Sequence, residues 1–339
     1  MKKTKKLLAC LIAAATMFTM GSTAFAADTG NKAQTPVDDK VQFTKEYKLI
    51  GEGESPAETF NFTIENTEVT DAAESVNKDN MPTPTVGTVS YDKKGATKDG
   101  NKKTVDVTFT GYTSVGVYTY TIKETPGTTA GVDYDTVPVT MKVTVVNGDT
   151  AGTFKVESVS FTKNGTKLAK DEAAFNNTYT ANKLEVSKTV TGNLGDKSKY
   201  FEFTITLTGK DGAAYNNDGY TVAGGSNAEN PTSIKVGESK TFKLKHNDTI
   251  TIENLPKDVT YTVTETAVDK YTTTVNGTES NEATGKTTSD KATQAFVNTK
   301  GSEIDTGVNL TTLPYILVFA GVIVIAGAAF ITRRRKYED

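Results

Sequence analysis

Two lysines, two glutamates and two asparagines stand where side chains should turn inward. Lys45 is in phase with Val41, Phe43, Tyr47 and Leu49, and Lys188 with Leu184, Val186 and Val190. Glu124 follows Tyr118, Tyr120 and Ile122 at two-residue intervals, and Glu265 follows Tyr261 and Val263. Asn177 shares phase with Phe175 and Tyr179, and Asn298 with Phe296. If these runs are regular strands, all six residues point at a core. A single case is usually a strand end emerging into solvent, because Lys and Glu are almost never buried alone. The same Lys, Glu, Asn order occurring twice demands a chemical reading. Burial lowers a lysine pKa, giving a neutral, nucleophilic amine, and raises a glutamate pKa, keeping the acid protonated. Beside an asparagine carboxamide the amine can attack the carbonyl while the acid polarises it and shuttles protons, and ammonia leaves. The product would be an isopeptide bond, Lys45–Asn177 in one half and Lys188–Asn298 in the other, promoted by Glu124 and Glu265. That chemistry needs no cofactor and no metal.

Composition leaves few competing reactions. The 339 residues include one Cys (Cys10), one His (His246) and no Trp. Thiol nucleophiles, His-dependent triads, Cys/His zinc sites and disulfide frameworks are therefore nearly excluded. A secreted glycosidase with paired carboxylates is the remaining enzyme class, but no aromatic platform supports it and both candidate glutamates are better explained inside cores.

The elements that must position the six residues are strands. From about residue 38 the chain alternates apolar and polar residues, rich in Thr, Val, Tyr and Phe, with Gly, Asn and Asp clusters between runs. Clear examples are Phe60-Phe62-Ile64, Val105-Val107-Phe109, Val139-Met141-Val143-Val145 and Phe201-Phe203-Ile205-Leu207. Period-two alternation with β-branched and aromatic enrichment predicts an all-β fold of tandem Ig-like β-sandwiches. An internal repeat divides them. Val41-Gln42-Phe43-Thr44-Lys45, Phe60-Asn61-Phe62-Thr63-Ile64, Tyr118 to Thr125 and Phe175-Asn176-Asn177 are echoed by Leu184-Glu185-Val186-Ser187-Lys188, Phe201-Glu202-Phe203-Thr204-Ile205, Tyr261 to Thr266 and Phe296-Val297-Asn298. The expected domains are 27–180 and 181–300.

Both ends read as processing signals. Residues 1–26 combine a basic start, an apolar run from Leu7 to Met20 and Ala24-Phe25-Ala26, which predicts a secretory signal peptide that takes Cys10 with it. Residues 301–312 lead into the apolar segment 313–332, long enough to cross a hydrocarbon core of ~30 Å, and the basic tail 333–339 follows. That order predicts either a permanent single-pass anchor, with its tail inside the cell, or a transient one. Trimming both ends removes Lys2, Lys3, Lys5, Lys6, Arg333, Arg334, Arg335 and Lys336 against Glu338 and Asp339, so the mature chain is more acidic than the formal charge of -3 and has no Arg. Nucleic acid is not an expected partner.

Glu303-Ile304-Asp305-Thr306-Gly307, placed just before the apolar segment and basic tail, resembles the sorting signal of Gram-positive surface proteins. With Gly116 to Glu124, Gly131-Val132-Asp133-Tyr134-Asp135 and Asn182 to Lys188, the whole precursor resembles the two-domain major (backbone) pilins of streptococcal-type pili. The resemblance implies CnaB-like domains with Lys–Asn isopeptide bonds promoted by Glu. It also implies a sortase that cleaves after Thr306 and joins it to a lysine of the next subunit. The matching acceptor position is Lys170, with Lys167 and Lys163 as alternatives. The family's usual sorting pentapeptide has Pro third, where this chain has Asp305, and the Tyr-Pro-Lys-Asn acceptor motif of other lineages is absent. Implied partners are further copies of the chain, the pilus sortase, tip or base pilins, cell-wall peptidoglycan and a possible host surface ligand. A monomeric wall-anchored adhesin or stalk of the same domain type is the alternative, and it needs no acceptor lysine.

Overall fold

Among the described residues, 33–302 in this computed structural model, there is no helix and the chain runs strand after strand. The signal peptide, the sorting pentapeptide Glu303–Gly307, the apolar segment 313–332 and the basic tail lie outside the described residues. The chain divides into two packing units. Of the described residues, the first takes those up to Lys48 together with Pro56–Gly127 and Asp133–Thr178, and the second takes Leu49–Ser55, Thr128–Val132 and those from Tyr179 on.

The first unit is built from β1 (Lys40–Gly51), β2 (Glu58–Thr70), β3 (Thr85–Val86), β4 (Val89–Tyr91), β5 (Asn101–Thr108), β6 (Gly116–Thr125), the short β7 (Val132–Asp133), β8 (Val139–Asn147), β9 (Phe154–Lys163), β10 (Thr166–Lys167) and the start of β11 (Ala173–Thr191). One sheet runs β10-β9-β8-β6-β2-β4, and the other runs β3-β5-β1-β11. In β8, Val139, Met141, Val143 and Val145 are buried and the residues between them are not, so the period-two pattern is realised as one inner face. Inner faces of the two sheets meet through Phe43, whose ring centroid lies 5.1 Å from that of Phe62 and 5.6 Å from that of Phe175. Truncating such a ring to alanine costs about 3–5 kcal/mol.

One residue of β1 breaks the alternation. Thr44 lies on the outer face yet is only 5% exposed. Its hydroxyl donates to the Lys170 carbonyl at 2.8 Å, which ties the segment before β11 onto the outside of the sheet.

The second unit continues with the rest of β11, then β12 (Phe201–Thr208), β13 (Tyr220–Gly224), β14 (Ser233–Ile234), β15 (Ser239–Leu244), β16 (Thr249–Pro256), β17 (Thr260–Glu265), β18 (Thr272–Val275), β19 (Thr278–Glu279), β20 (Glu282–Lys286) and β21 (Ala292–Thr299). One sheet is β15-β12-β17-β20. The other is β14-β13-β16-β11-β21-β18-β19, in which β11 and β21 run parallel. Parallel neighbours cannot be joined by a tight turn, so first and last strands of the domain lie side by side with the whole domain folded between them. Phe203 on β12 and Phe296 on β21 close the core edge-to-face at 5.1 Å.

Candidate functional site

Each unit brings one Lys, one Glu and one Asn together inside its core. In the first, Lys45 comes from β1 and Asn177 from β11, both in one sheet, while Glu124 comes from β6 in the opposite sheet. Residue pairing of Phe62 with Glu124 sets the depth of the glutamate. Lys45 and Glu124 side chains are 0% exposed, and Nζ lies 3.1 Å from Glu124 Oε2. Lys45 also donates to the Glu46 carbonyl at 3.3 Å and stands 4.4 Å above the centre of the Phe60 ring. Asn177 Nδ2 donates to Glu124 Oε1 in a short hydrogen bond, and its Oδ1 accepts the Asp135 main-chain N–H at 3.0 Å.

In the second unit, Lys188 on β11 faces Phe296 across the parallel pair and Asn298 on β21 faces Val190, so the two reactive residues are diagonal neighbours. Glu265 comes from the other sheet, on β17. Lys188 Nζ lies 2.8 and 2.7 Å from the two Glu265 oxygens, and both side chains are 0% exposed. Asn298 Nδ2 donates to Glu265 Oε1 at 2.5 Å, and its Oδ1 has no hydrogen-bond partner among the described residues. The Phe201 and Phe203 rings line the amine at 4.3 and 5.5 Å.

Burial is the main electrostatic influence at both sites. It lowers Lys45 from 10.5 to about 8, although the neighbouring Glu124 pulls the other way, and it lowers Lys188 to about 8 against the pull of Glu265. Burial also raises Glu124 and Glu265, each opposed by its lysine. Both shifts favour the uncharged amine and acid over the ion pair. A buried ion pair is a poor source of stability, because desolving two charges offsets their attraction. What the arrangement offers is chemistry: in each core an amine and a carboxamide are both held against one buried carboxyl group.

The contact differs in one respect from a glutamate that polarises the amide carbonyl. Glu124 and Glu265 both touch the nitrogen end of the carboxamide. A carboxyl oxygen that carries no proton can only accept, so Oε1 selects the NH2 group. In the first unit the oxygen end is already taken by the Asp135 N–H, which fixes the orientation. That contact has no signature in the sequence, because every residue but proline carries a main-chain N–H.

The three acceptor candidates differ in environment. Lys170 and Lys167 are exposed, whereas Lys163 is half-buried and pairs with Asp135 at 2.5 Å. Lys163 also donates to the Ala174 carbonyl at 2.8 Å. The sole histidine, His246, serves the fold: its Nδ1 accepts the Val190 N–H at 3.0 Å.

Paired β-sandwiches of this kind define a class of tandem-domain structural proteins, and the comparisons with known proteins agree. The model of the Spy0128-like isopeptide containing domain matches residues 41–180, and a domain of unknown function (DUF7601) matches residues 182–300. The chain is 30% identical over 345 residues to the Pilin of Streptococcus pyogenes serotype M1, covering 93% of this chain and 96% of that protein. Over 128 residues, 37% of this chain and 18% of the other, it is 36% identical to the Pilus tip adhesin Cpa of Streptococcus pyogenes. The crystal structure of the major pilin from Streptococcus pyogenes matches with a TM-score of 0.52 at 26% identity, over 79% of this chain and 100% of that one. The chain belongs to the pilin family. It is a structural subunit of a cell-surface pilus rather than an enzyme.

Proposed function

We propose that each sandwich forms its own isopeptide bond, Lys45 to Asn177 and Lys188 to Asn298, and that a pilus sortase joins the subunits head to tail through Thr306. The observation that carries the first step is one buried carboxyl group touching both an amine and a carboxamide in each of two separate cores. The Nζ lone pair attacks the Asn Cγ, and the carbonyl electrons move onto Oδ1. The proton lost by Nζ passes through the Glu carboxyl to Nδ2. As the carbonyl re-forms, the Cγ–Nδ2 bond breaks and ammonia leaves. Nothing is oxidised or reduced, and the buried charge disappears with the product.

In this reading the sortase cleaves Glu303-Ile304-Asp305-Thr306-Gly307 after Thr306 and passes the Thr carbonyl to Lys170 of the next subunit. Support for Lys170 comes from its exposure and its place in a groove lined also by Lys102, Lys103 and Asp171. Three lysines there complement the carboxylates of Glu303 and Asp305. Lys167 is the alternative acceptor; Lys163 is held by its own partners. The last subunit is passed to cell-wall peptidoglycan, and tip or base pilins and a host surface ligand complete the set of partners. Tension entering a domain at its first strand and leaving at its last would then be carried by a covalent bond between those strands. The cross-link does what disulfides do in other secreted proteins, without cysteine.

Intact mass of residues 27–300 tests the chemistry: the expected value is low by two ammonias, and a mass equal to that of the sequence overturns it. A boiled SDS gel of wall extracts tests assembly. A high-mass ladder lost in Lys170→Ala supports the shaft, and a single monomer band overturns it in favour of a wall-anchored adhesin.

A further inference from the structure

Asp135 and Lys163 form a charged cluster beside Asn177 that has no counterpart at Asn298 among the described residues. The Asp135 carboxylate is 9% exposed and pairs with Lys163 Nζ through Oδ2 at 2.5 Å. The same Oδ2 accepts the Asn176 N–H at 2.8 Å, while Oδ1 accepts the Val137 N–H at 3.0 Å and closes an Asx-type turn. Asp135 therefore grips the main chain beside Asn177, and its own N–H grips the Asn177 carbonyl oxygen. Lys163 anchors this turn to β11 through the Ala174 carbonyl and stands 5.4 Å from the centre of the Phe175 ring.

We propose that the Asp135 main-chain N–H is the oxyanion donor for the first isopeptide reaction and that Lys163 is a positioning residue that acts through the Asp135 carboxylate. When Lys45 attacks Asn177 Cγ, negative charge collects on Oδ1, where a fixed donor already points. A preorganised N–H at a developing oxyanion is worth a factor of roughly 10²–10³ in rate when lost outright. Loosening it is worth less, about tenfold to a hundredfold. The Asn298 Oδ1 has no such donor among the described residues. The inference rests on the isopeptide reading above and adds a group to it.

The charges of the cluster supply a readout that a merely structural role would not move. Lys45 is faced by Glu124 from β6, by Asp135 from the turn before β8 and by Lys163 from β9, and Asp135 favours its protonated form while Lys163 disfavours it. Removing Lys163 leaves Asp135 uncompensated and keeps Lys45 protonated to higher pH. Removing the Asp135 charge does the reverse.

The test is a time course of ammonia loss in the full chain made by cell-free synthesis, quenched at intervals and resolved by peptide mass into the two domains. Lys45–Asn177 formation is expected to slow about tenfold or more in Lys163→Met, with its pH-rate curve displaced upward, and to recover in Lys163→Arg. In Asp135→Asn it should also slow, with the curve displaced downward. The Lys188–Asn298 link serves as the internal reference and should keep its rate in every variant. If wild-type chain never forms the first link, the isopeptide reading itself fails. If it does, and Lys163→Met and Asp135→Asn form it at the wild-type rate or with an unmoved pH profile, the positioning role is overturned. Should Lys163→Met not fold, Asp135→Asn decides by the same two criteria.

Discussion

The two buried Lys-Glu-Asn clusters share three residue types and differ in which partner is held. In the first domain the carboxamide is gripped at both ends, by Glu124 on its nitrogen and by the Asp135 N–H on its oxygen, while Lys45 meets only one carboxylate oxygen. In the second the amine is the well-held group: Lys188 lies within 2.8 Å of both Glu265 oxygens, and the Asn298 carbonyl has no hydrogen-bond partner among the described residues. One site preorganises the electrophile and the other the amine and its proton acceptor. The isopeptide chemistry proposed above would tolerate either arrangement, because both reactants are held against the same glutamate and their effective concentration would supply most of the rate.

Removing the glutamates tests the shared part and has the largest expected effect. Glu124→Ala and Glu265→Ala should each restore one ammonia to the intact mass and destabilise only their own domain. Cross-links that close loops longer than about 100 residues remove roughly 5 kcal/mol of unfolded-chain entropy, which corresponds to a fall on the order of 20 °C in the melting temperature of a domain of this size. Calorimetry should show one transition moving while the other stays. Equal movement of both would erase the picture of two separate centres.

The same variants carry a pH signature. Each leaves its lysine buried without its glutamate or a cross-link, so the folded pKa lies at or below about 8, while the unfolded value is 10.5. Between those values the unfolded chain binds more protons, so stability rises with pH across the window, by about 3 kcal/mol in full. Urea midpoints of both variants should increase from pH 8 to pH 10. A flat or falling profile would mean that the amine escapes to solvent.

A smaller effect separates the two centres in the unaltered chain. With its carbonyl already held, the first link should complete before the second when newly made chain is sampled at intervals. A second link that forms first would show that holding the amine outweighs holding the carbonyl. The smallest effect on the fold is expected at Lys170, whose exposed side chain bears on neither core. Lys170→Ala should melt within about 1 °C of wild type, as exposed substitutions usually do, and retain both ammonia losses, yet fail to assemble.

Strand phase made the inward direction of all six residues readable in advance. A period of two leaves a side chain only two faces, and the aromatic neighbours of Lys45 and Glu124 name the buried one. Residue order along the chain likewise made the duplication visible, since Lys188, Glu265 and Asn298 repeat the order of Lys45, Glu124 and Asn177. Thr44 was not readable in this way. Its burial comes from a segment more than a hundred residues later in the chain lying across the outer face of β1.

The sequence alone thus narrows the chemistry open to this pilin: residue types, strand phase and the near absence of Cys, His and Trp point to Lys, Glu and Asn as its candidate reactive groups. It cannot say which atoms of those groups meet. That the glutamates touch the amide nitrogen, that Asp135 offers an N–H to one carbonyl while none among the described residues reaches the other, and that Lys163 belongs to a half-buried pair while Lys170 stands open all follow from how sheets pack and loops close over them. The physical reason is that local alternation selects a face, whereas hydrogen-bond partners are chosen by groups that only the folded chain brings together.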